Sequence, residues 1–285
     1  MLRRLQAIFY SLLYADSLRS GKFDRAIADL SRLIQINPNN PIAYNDRGVA
    51  CQGAGDYRRS IDDFDKAIAL NPRFTMAYHN RGLSWKFLGE FDRAIADHAE
   101  AIALFPHFAD AYAELGVAHQ CKLNFELSVE HLTTAITLAP KHPGYLKSRG
   151  LSFFYRARFK GAVVDLRASL DLASDPYALL FLYLSHARTG EGAGLEWERR
   201  AKKLRRDAWP AAIVDLYLGR LTIDSAFAAA RSVDERAEAQ FYIGEWHLIR
   251  DNCEDARRAL QAAVQACPTW FIEHTAAVAE LKRLE

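Results

Sequence analysis

The side chains that could do chemistry in this sequence are its histidines, cysteines and serines, and their spacing decides whether they can act together. The nine histidines include no His-x-x-x-His pair and the four cysteines no Cys-x-x-Cys pair, so the common spacings of metal ligands are absent. No Gly-x-Ser-x-Gly sequence presents a nucleophilic serine. We therefore predict no metal site, no cofactor and no enzymatic activity.

Two further clusters have simpler interpretations. The glycine-rich segment 190–194 lacks the preceding strand and the Lys-Ser/Thr of a phosphate-binding loop, so we predict a turn there. Asp62, Asp63 and Asp65 lie in a predicted helix among basic neighbours, which is typical of surface charge.

The elements that must position any functional residue recur with a fixed period of 34 residues. Counting each unit from seven residues before its glycine, position 8 is Gly48, Gly82, Gly116 and Gly150. Position 17 is aromatic in the same units, as Tyr57, Phe91, Phe125 and Phe159. Position 32 is Pro72, Pro106 and Pro140 in the first three. This period indicates an array of helix-turn-helix units, and such arrays bind partners along their length.

The residue types fit that interpretation mechanically. Glycine allows two helices to approach closely, whereas proline ends the second helix of the units that contain it, because it disfavours helix in the residue before it. We predict an all-α, right-handed superhelical solenoid. Residues 1–176 form five units, 177–236 a degenerate helix pair with irregular short helices, and 237–285 a final unit with a capping helix.

The repeated glycine, aromatic and proline positions resemble those of tetratricopeptide repeat proteins over residues 7–176, and again from 237. The C-terminal part is similar to NlpI-type bacterial tetratricopeptide adaptors at residues 209–219, 241–244 and 271–274. That resemblance implies a dimeric adaptor that recruits a protease or a cell-envelope hydrolase.

The tetratricopeptide resemblance also implies a concave face lined by the first helices, at positions 2, 5, 9, 12 and 13 of each unit. Nine of the residues at these positions are candidates for partner binding: Asn45, Gln52, His79, Lys86, Phe87, Gln120, Lys147, Phe154 and Tyr155. We expect exposure for Asn45, His79, Lys86, Lys147 and Tyr155. The apolar residues at position 9 are expected to pack between helices: Val49, Leu83, Val117 and Leu151. This mixed strip suits an extended peptide or a helix.

A basic stripe is predicted near the break in the repeats. On one continuous helix, Arg199, Lys202, Lys203 and Arg206 would lie together opposite Trp197 and its apolar neighbours. The stripe is either the solvated face of a packed helix or a docking patch for an acidic partner or polyanion.

The net charge and the hydropathy of the chain exclude some classes of partner. The net charge of +2 gives no reason to expect nucleic acid, and no apolar run is long enough to span a membrane.

Residues 5–15 fit either the first repeat helix or a weak signal sequence, and we favour the helix. Four cysteines without a closable pair favour a cytoplasmic over a periplasmic location. The aromatic residues Phe9, Tyr10 and Tyr14 in the first unit are compatible with a homodimer.

The sequence therefore favours a non-enzymatic scaffold that binds a protein or peptide along the concave face. The alternative is an enzyme or small-ligand-binding protein with its site in the irregular 190–236 region. An RNA-binding array is disfavoured by the period and by the near-zero net charge.

Overall fold

The computed structural model describes residues 14–190, 194–205 and 207–285, and all regular elements within those ranges are helices. The predicted all-α solenoid is confirmed. The chain forms two compact units, which meet in sequence at Ala118 and His119. Residues 5–13, on which the first-helix and signal-sequence interpretations depend, lie outside the described residues.

In the first unit, residues 14–19 are helical and precede regularly spaced helices. These are α1 (Phe23–Ile36), α2 (Pro41–Gly53), α3 (Tyr57–Leu70), α4 (Thr75–Phe87) and α5 (Phe91–Leu104), followed by α6 (Ala109–Cys121), which crosses into the second unit. Each of α1 to α4 packs against the next helix in the chain, and α2 also contacts α4. First helices of consecutive repeats are therefore in direct contact.

The second unit continues with paired helices and then becomes irregular. Its helices are α7 (Phe125–Leu138), α8 (Pro143–Tyr155), α9 (Phe159–Leu172), α10 (Pro176–Thr189), α11 (Gly194–Ala201), α12 (Ala211–Tyr217), α13 (Ile223–Ala228), α14 (Val233–Leu248), α15 (Cys253–Ala266) and α16 (Ile272–Arg283). The last helix, α16, packs against α14 and α15 and returns to contact α8. The division at residues 176 and 236 stays a prediction.

The helix starts follow from local capping. Asn40 accepts hydrogen bonds from the backbone N–H groups of Ile42 and Ala43, at the first turn of α2. Asp175 accepts from the N–H of Ala178 in the same way at α10. Both helices open with proline, whose missing N–H leaves no donor unsatisfied there.

The repeated glycine marks the place where the two helices of a repeat approach most closely. A Cβ atom on Gly48 would lie 2.6 Å from the ring of Phe64, which is fully buried. His98 takes the same place opposite Gly82, with its ring 2.8 Å from a Cβ there. The glycine therefore serves helix packing rather than ligand binding.

Buried ion pairs tie the second helices to the first helices. Arg47 donates to both carboxylate oxygens of Asp63, at 2.9 and 2.6 Å, and Arg149 binds Asp165 in the same bidentate manner. The equivalent Arg81 binds Asp97. These aspartates are nearly inaccessible, so their charges are used inside the array rather than presented to a partner.

Candidate protein-binding surface

The polar residues predicted to contact a partner in the first unit mostly bind the neighbouring repeat. Asn45 is only 7% exposed and accepts a 3.0 Å hydrogen bond from the side chain of Asn80. Gln52 donates to the backbone oxygen of Asn80 and to Ser84 Oγ, each at 2.7 Å. The predicted exposure of Asn45 is wrong, because the amide is needed to join α2 to α4.

His79 is also buried, against expectation. Its ring lies 4.9 Å from the ring of Phe108 and 5.3 Å from that of His98, and the residue is 8% exposed. Burial lowers the pKa of His79, and it lowers the pKa of His98 far more. His79 therefore contributes an aromatic ring to packing rather than a charge to the surface.

Lys86 and Phe87 remain partly accessible, but both are held in place. Lys86 Nζ donates to Glu114 Oε2 at 2.6 Å and lies 5.2 Å from the centre of the Phe87 ring. Phe87 stacks on Tyr57 with the ring centres 4.8 Å apart. The charge of Lys86 is therefore largely neutralised where a partner would meet it.

The accessible apolar side chains of this surface lie at position 2, near the start of each first helix. Ile42 on α2 is 57% exposed and Met76 on α4 is 45% exposed. They are equivalent positions of consecutive repeats. Val49 and Leu83, one or two turns further along the same helices, are half-buried. We call Ile42, Met76, Gln52, Lys86 and Phe87 the first-helix face.

In the second unit, Gln120 repeats the role of Gln52. It donates to the backbone oxygen of Ser148 at 2.6 Å and to Ser152 Oγ at 2.7 Å, and it is 4% exposed. Ser128 and Ser152 share a further hydrogen bond of 2.8 Å. Gln120 thus joins consecutive repeats and presents little surface to a partner.

Phe154 and Tyr155 are covered by the chain's own C-terminal helix. Arg283 on α16 donates to the backbone oxygens of both residues, at 3.2 and 3.1 Å. The Tyr155 hydroxyl donates to the backbone oxygen of Ile272 at 3.2 Å. The predicted exposure of Tyr155 is wrong because α16 lies against the C-terminal end of α8, and burial raises the pKa of Tyr155 well above its ordinary value. Leu151 is buried as expected.

Lys147 retains some accessibility beside this covered region. Its Nζ donates to Asp175 Oδ2 at 2.7 Å, and about a quarter of each side chain is exposed, at 27% and 26%. Asp175 also caps α10, so the lysine is oriented by a residue that is itself fixed.

The prediction of one continuous basic helix is wrong. Helix α11 ends at Ala201, and the backbone then tightens, with the N–H groups of Lys203 and Leu204 donating three residues back. Trp197 and Ala201 are buried on the inner side of α11, which fixes this short helix against the core. Arg199 thus lies on the helix and Lys202 and Lys203 in the turn.

The fourth member of that stripe, Arg206, lies outside the described residues. Arg199 and Lys203 line a cavity of about 220 Å³ together with Arg200 and Asp171. Arg200 donates to Asp171 at 2.6 Å, so part of the local positive charge is already compensated. The polyanion patch stays a prediction.

The irregular region between residues 200 and 236 contains a cavity of about 290 Å³, and the acidic side chains in its lining have structural partners. Glu235 accepts from the backbone N–H groups of Arg231 and Ser232, which completes the cap of α14. Asp207 pairs with Arg205 on the surface. Nothing in this arrangement activates a nucleophile or a proton-transfer group.

Four buried glutamates form a cluster that the sequence reasoning missed. Glu238 and Glu245 lie on α14, and Glu273 and Glu280 lie on α16. None is more than 9% exposed. Burial raises the pKa values of Glu238, Glu245 and Glu273, the last two to about 8. The available signal was an acidic residue seven positions from another on each of two helices that otherwise bury mainly apolar residues.

Residues 14–190, 194–205 and 207–285 contain no group of three or more His, Cys, Asp or Glu arranged to hold a metal ion. Nor does any helix within them combine the length and apolarity needed to cross a membrane.

Stacked helix pairs that cross at Gly48, Gly82, Gly150 and Gly244, joined by side-chain hydrogen bonds between repeats, define a helical-hairpin repeat protein. The sequence profile described as "Tetratricopeptide repeat" matches residues 15–82, so the repeats within that range are tetratricopeptide repeats.

Solved structures share this fold. PilF from Pseudomonas aeruginosa aligns with a TM-score of 0.65 and 16% identity, over 77% of this chain and 99% of PilF. MamA from Desulfovibrio magneticus RS-1, residues 41 to the end, aligns with a TM-score of 0.54 and 25% identity, over 59% of this chain and 94% of that one. YrrB, described as a TPR protein with an unusual peptide-binding site, aligns with a TM-score of 0.51 and 16% identity, over 67% of this chain and 98% of YrrB.

Proposed function

We propose that this protein is a non-enzymatic scaffold that binds a segment of a partner protein along the first-helix face of its N-terminal repeats. The observation that carries the proposal is the exposure of Ile42 and Met76, at equivalent positions of consecutive repeats. Apolar anchors at regular spacing, surrounded by polar side chains, are the usual means by which a groove holds a peptide or a helix.

The polar surroundings of these anchors are already ordered. Gln52 is held by α4, and Lys86 is held by Glu114. A partner that docks on fixed side chains does not have to pay their ordering entropy, so a modest apolar contact area can support binding.

The second unit is a weaker candidate for the same mode of binding. Helix α16 covers Phe154 and Tyr155, and Gln120 is committed to Ser148 and Ser152. We therefore assign peptide binding to the first-helix face alone.

The nature of the partner forms a narrower proposal. The description of YrrB names a peptide-binding site, and a further similar structure, PilW, is described as a type IV pilus biogenesis factor. Together with the NlpI-type resemblance of the C-terminal part, this supports a bacterial protein partner, such as a protease or a cell-envelope hydrolase. Homodimerisation stays a prediction, because two of its three aromatic residues, Phe9 and Tyr10, lie outside the described residues.

The experiment that tests the proposal is site-specific photo-crosslinking in the source cell. A photo-reactive residue at position 42 or 76 is expected to capture a discrete partner. The same residue at position 164 on α9 is the matched control, because Val164 is 65% exposed but lies on a second helix. The double substitution Ile42→Asp/Met76→Asp should abolish co-purification of the captured partner, whereas Val164→Asp should not. Equal capture at all three positions, or undiminished co-purification with the double variant, would contradict the proposal.

A further inference from the structure

The four buried glutamates occupy two levels between α14 and α16. On each helix the two acids are seven residues apart, which is about two turns, so they project from the same side of their helix. The two acids at each level interact through their charges. Glu245 and Glu280 form one level, and Glu238 and Glu273 form the other.

The Glu245–Glu280 level is neutralised from within the protein. Arg188 Nη2 donates to Glu245 Oε2 at 3.0 Å and to Glu280 Oε2 at 3.1 Å. Arg283 forms a second ion pair with Glu280. Two guanidinium groups thus accompany two carboxyl groups, which is what burial of charge requires.

The Glu238–Glu273 level has no such cation. Tyr177 and Trp209 donate to the same oxygen of Glu238, Oε2, at 2.9 and 2.7 Å, and Tyr242 donates to Glu273 Oε1 at 2.9 Å. These donors are neutral. Within the part of the chain that the structure describes, no lysine or arginine forms an ion pair with either acid.

These two acids instead open onto a cavity of about 260 Å³ with aromatic walls. Its lining consists of Tyr177, Glu238, Trp270, Phe271, Ile272 and Glu273. The volume is below the roughly 300–1,000 Å³ of sites for drug-sized ligands and cofactors, so it suits one small group. Aromatic faces and carboxylates both attract cations, the former through the negative potential of the ring.

We propose that this cavity binds one guanidinium or ammonium group, carried by an arginine or lysine side chain of a protein partner. The ligand supplies to Glu238 and Glu273 the positive charge that Arg188 and Arg283 supply to the neighbouring level. The site lies wholly in the second unit and goes beyond the peptide binding assigned to the first-helix face, on which it does not depend.

The ionisation of the acids determines how the binding of a cation would depend on pH. Burial and the charge of Glu238 raise the pKa of Glu273 to about 8. The titratable and charged groups that act on the two acids come from several elements: Lys147 on α8, Tyr177 on α10, Asp234, Glu235 and Tyr242 on α14, and Cys267 after α15. A bound cation favours the carboxylate, so binding below this pKa releases a proton and tightens as the pH rises toward it.

The test uses the full-length protein and a fluorescent peptide that contains one arginine between glycines and serines. A peptide with citrulline in place of arginine is the matched ligand control, since it keeps the shape and removes the charge. We expect saturable binding of the arginine peptide, at least about tenfold weaker binding of the citrulline peptide, and a similar loss with Glu238→Gln and Glu273→Gln. Glu254→Gln is the control variant, because that side chain is 86% exposed.

Methylguanidine, measured as a competitor of the peptide, distinguishes a cation carried by a protein side chain from a free small cation. Tighter binding of the peptide than of methylguanidine assigns the cavity to a protein side chain, as proposed. Equal affinity retains the cation site but overturns the assignment to a protein ligand. Absence of saturable binding in the millimolar range, equal binding of the citrulline peptide, or unchanged binding by both glutamine variants overturns the site itself. Since the citrulline comparison uses wild-type protein, it holds even if a variant folds poorly.

Discussion

Replacement of Glu273 by glutamine should change how the stability of the protein depends on pH. Glu273 is 2% exposed, accepts a hydrogen bond from Tyr242, and has a pKa raised to about 8 by burial and by the charge of Glu238. In the unfolded chain the same group has a pKa near its ordinary value of about 4.3. Between these two values the folded protein holds a proton that the unfolded chain has lost.

The direction in which stability changes with pH follows from that extra proton on the folded protein. A group whose pKa is raised on folding stabilises the folded state fully below its unfolded value, and this contribution is lost as the pH rises through the folded value. The loss thus extends from about pH 4 to about pH 8. A difference of roughly three to four pKa units corresponds to about 4–5 kcal/mol for an isolated group, and coupling to Glu238 reduces this to about 2–5 kcal/mol.

The assay is denaturant unfolding followed by circular dichroism, for wild type and Glu273→Gln, at intervals between about pH 5 and about pH 9. Glutamine can still accept the hydrogen bond from Tyr242 but does not ionise. We expect the two proteins to differ little at the acid end and the variant to become more stable by about 2–5 kcal/mol at the alkaline end. Glu245, whose pKa is also raised, contributes equally to both proteins and cancels in the difference.

Glu254→Gln serves as the control for loss of an acidic side chain as such, because that side chain is 86% exposed and lies outside the cluster. A difference between Glu273→Gln and wild type that is constant from acid to alkaline pH would refute the reasoning, because it would mean that Glu273 titrates alike in both states. The ligand-free protein must be used, since a bound cation would suppress the effect.

Four further substitutions test the repeat packing by thermal or denaturant unfolding. Gly48→Ala should destabilise by about 1–3 kcal/mol, because its Cβ would meet the immobile ring of Phe64, whereas Gly144→Ala should be neutral or stabilising by up to about 1 kcal/mol. His98→Phe should stabilise the protein by about 1–3 kcal/mol, because both ring nitrogens of His98 lack a partner among the described residues. It should also lessen the loss of stability below about pH 6.5, because burial lowers the pKa of the imidazole. Arg149→Ala should cost about 3 kcal/mol, because it strands a buried carboxylate.

Each of these expectations has a contradicting result. Equal effects of alanine at both glycines would mean that close helix approach does not explain the repeated glycine. A destabilised His98→Phe variant would mean that the histidine makes an interaction the structure does not describe, since Phe64 occupies the equivalent position in the preceding repeat. An unchanged unfolding midpoint for Arg149→Ala would mean that the buried ion pairs do not stabilise the folded protein.

The sequence was sufficient to predict the helices but not the exposure of the side chains on them. Gly48 and the proline at the end of each repeat act within one helix pair, so a period of 34 residues reveals them directly. The role of Asn45 is set by Asn80, 35 residues away on the next repeat, and a polar side chain that faces a neighbour has the same periodicity as one that faces a ligand. Position in the repeat therefore overestimated how much of the first-helix surface is free.

The covering of Tyr155 by α16 shows a different limit of prediction. The hydroxyl of Tyr155 and the backbone oxygen of Ile272 are 117 residues apart in the chain. A repeat pattern specifies contacts between neighbouring units only, so it contains no information on where a terminal helix will pack. The capping helix itself was predicted, but the surface that it covers was not.

The absence of an ion-paired arginine or lysine at Glu273 is informative, because the same two helices show that such a partner is available. Arginines reach Glu245 and Glu280 from α10 and α16, at a level only two turns away. Glutamine at 273 would keep the hydrogen bond from Tyr242 and avoid the cost of an ionisable group in a buried wall, so the glutamate lowers stability at neutral and alkaline pH. Destabilising choices of this kind concentrate where a protein binds or reacts, since the ligand supplies the missing interaction. A cation held between Glu238, Glu273 and the aromatic walls would restore the balance that the rest of the cluster already has.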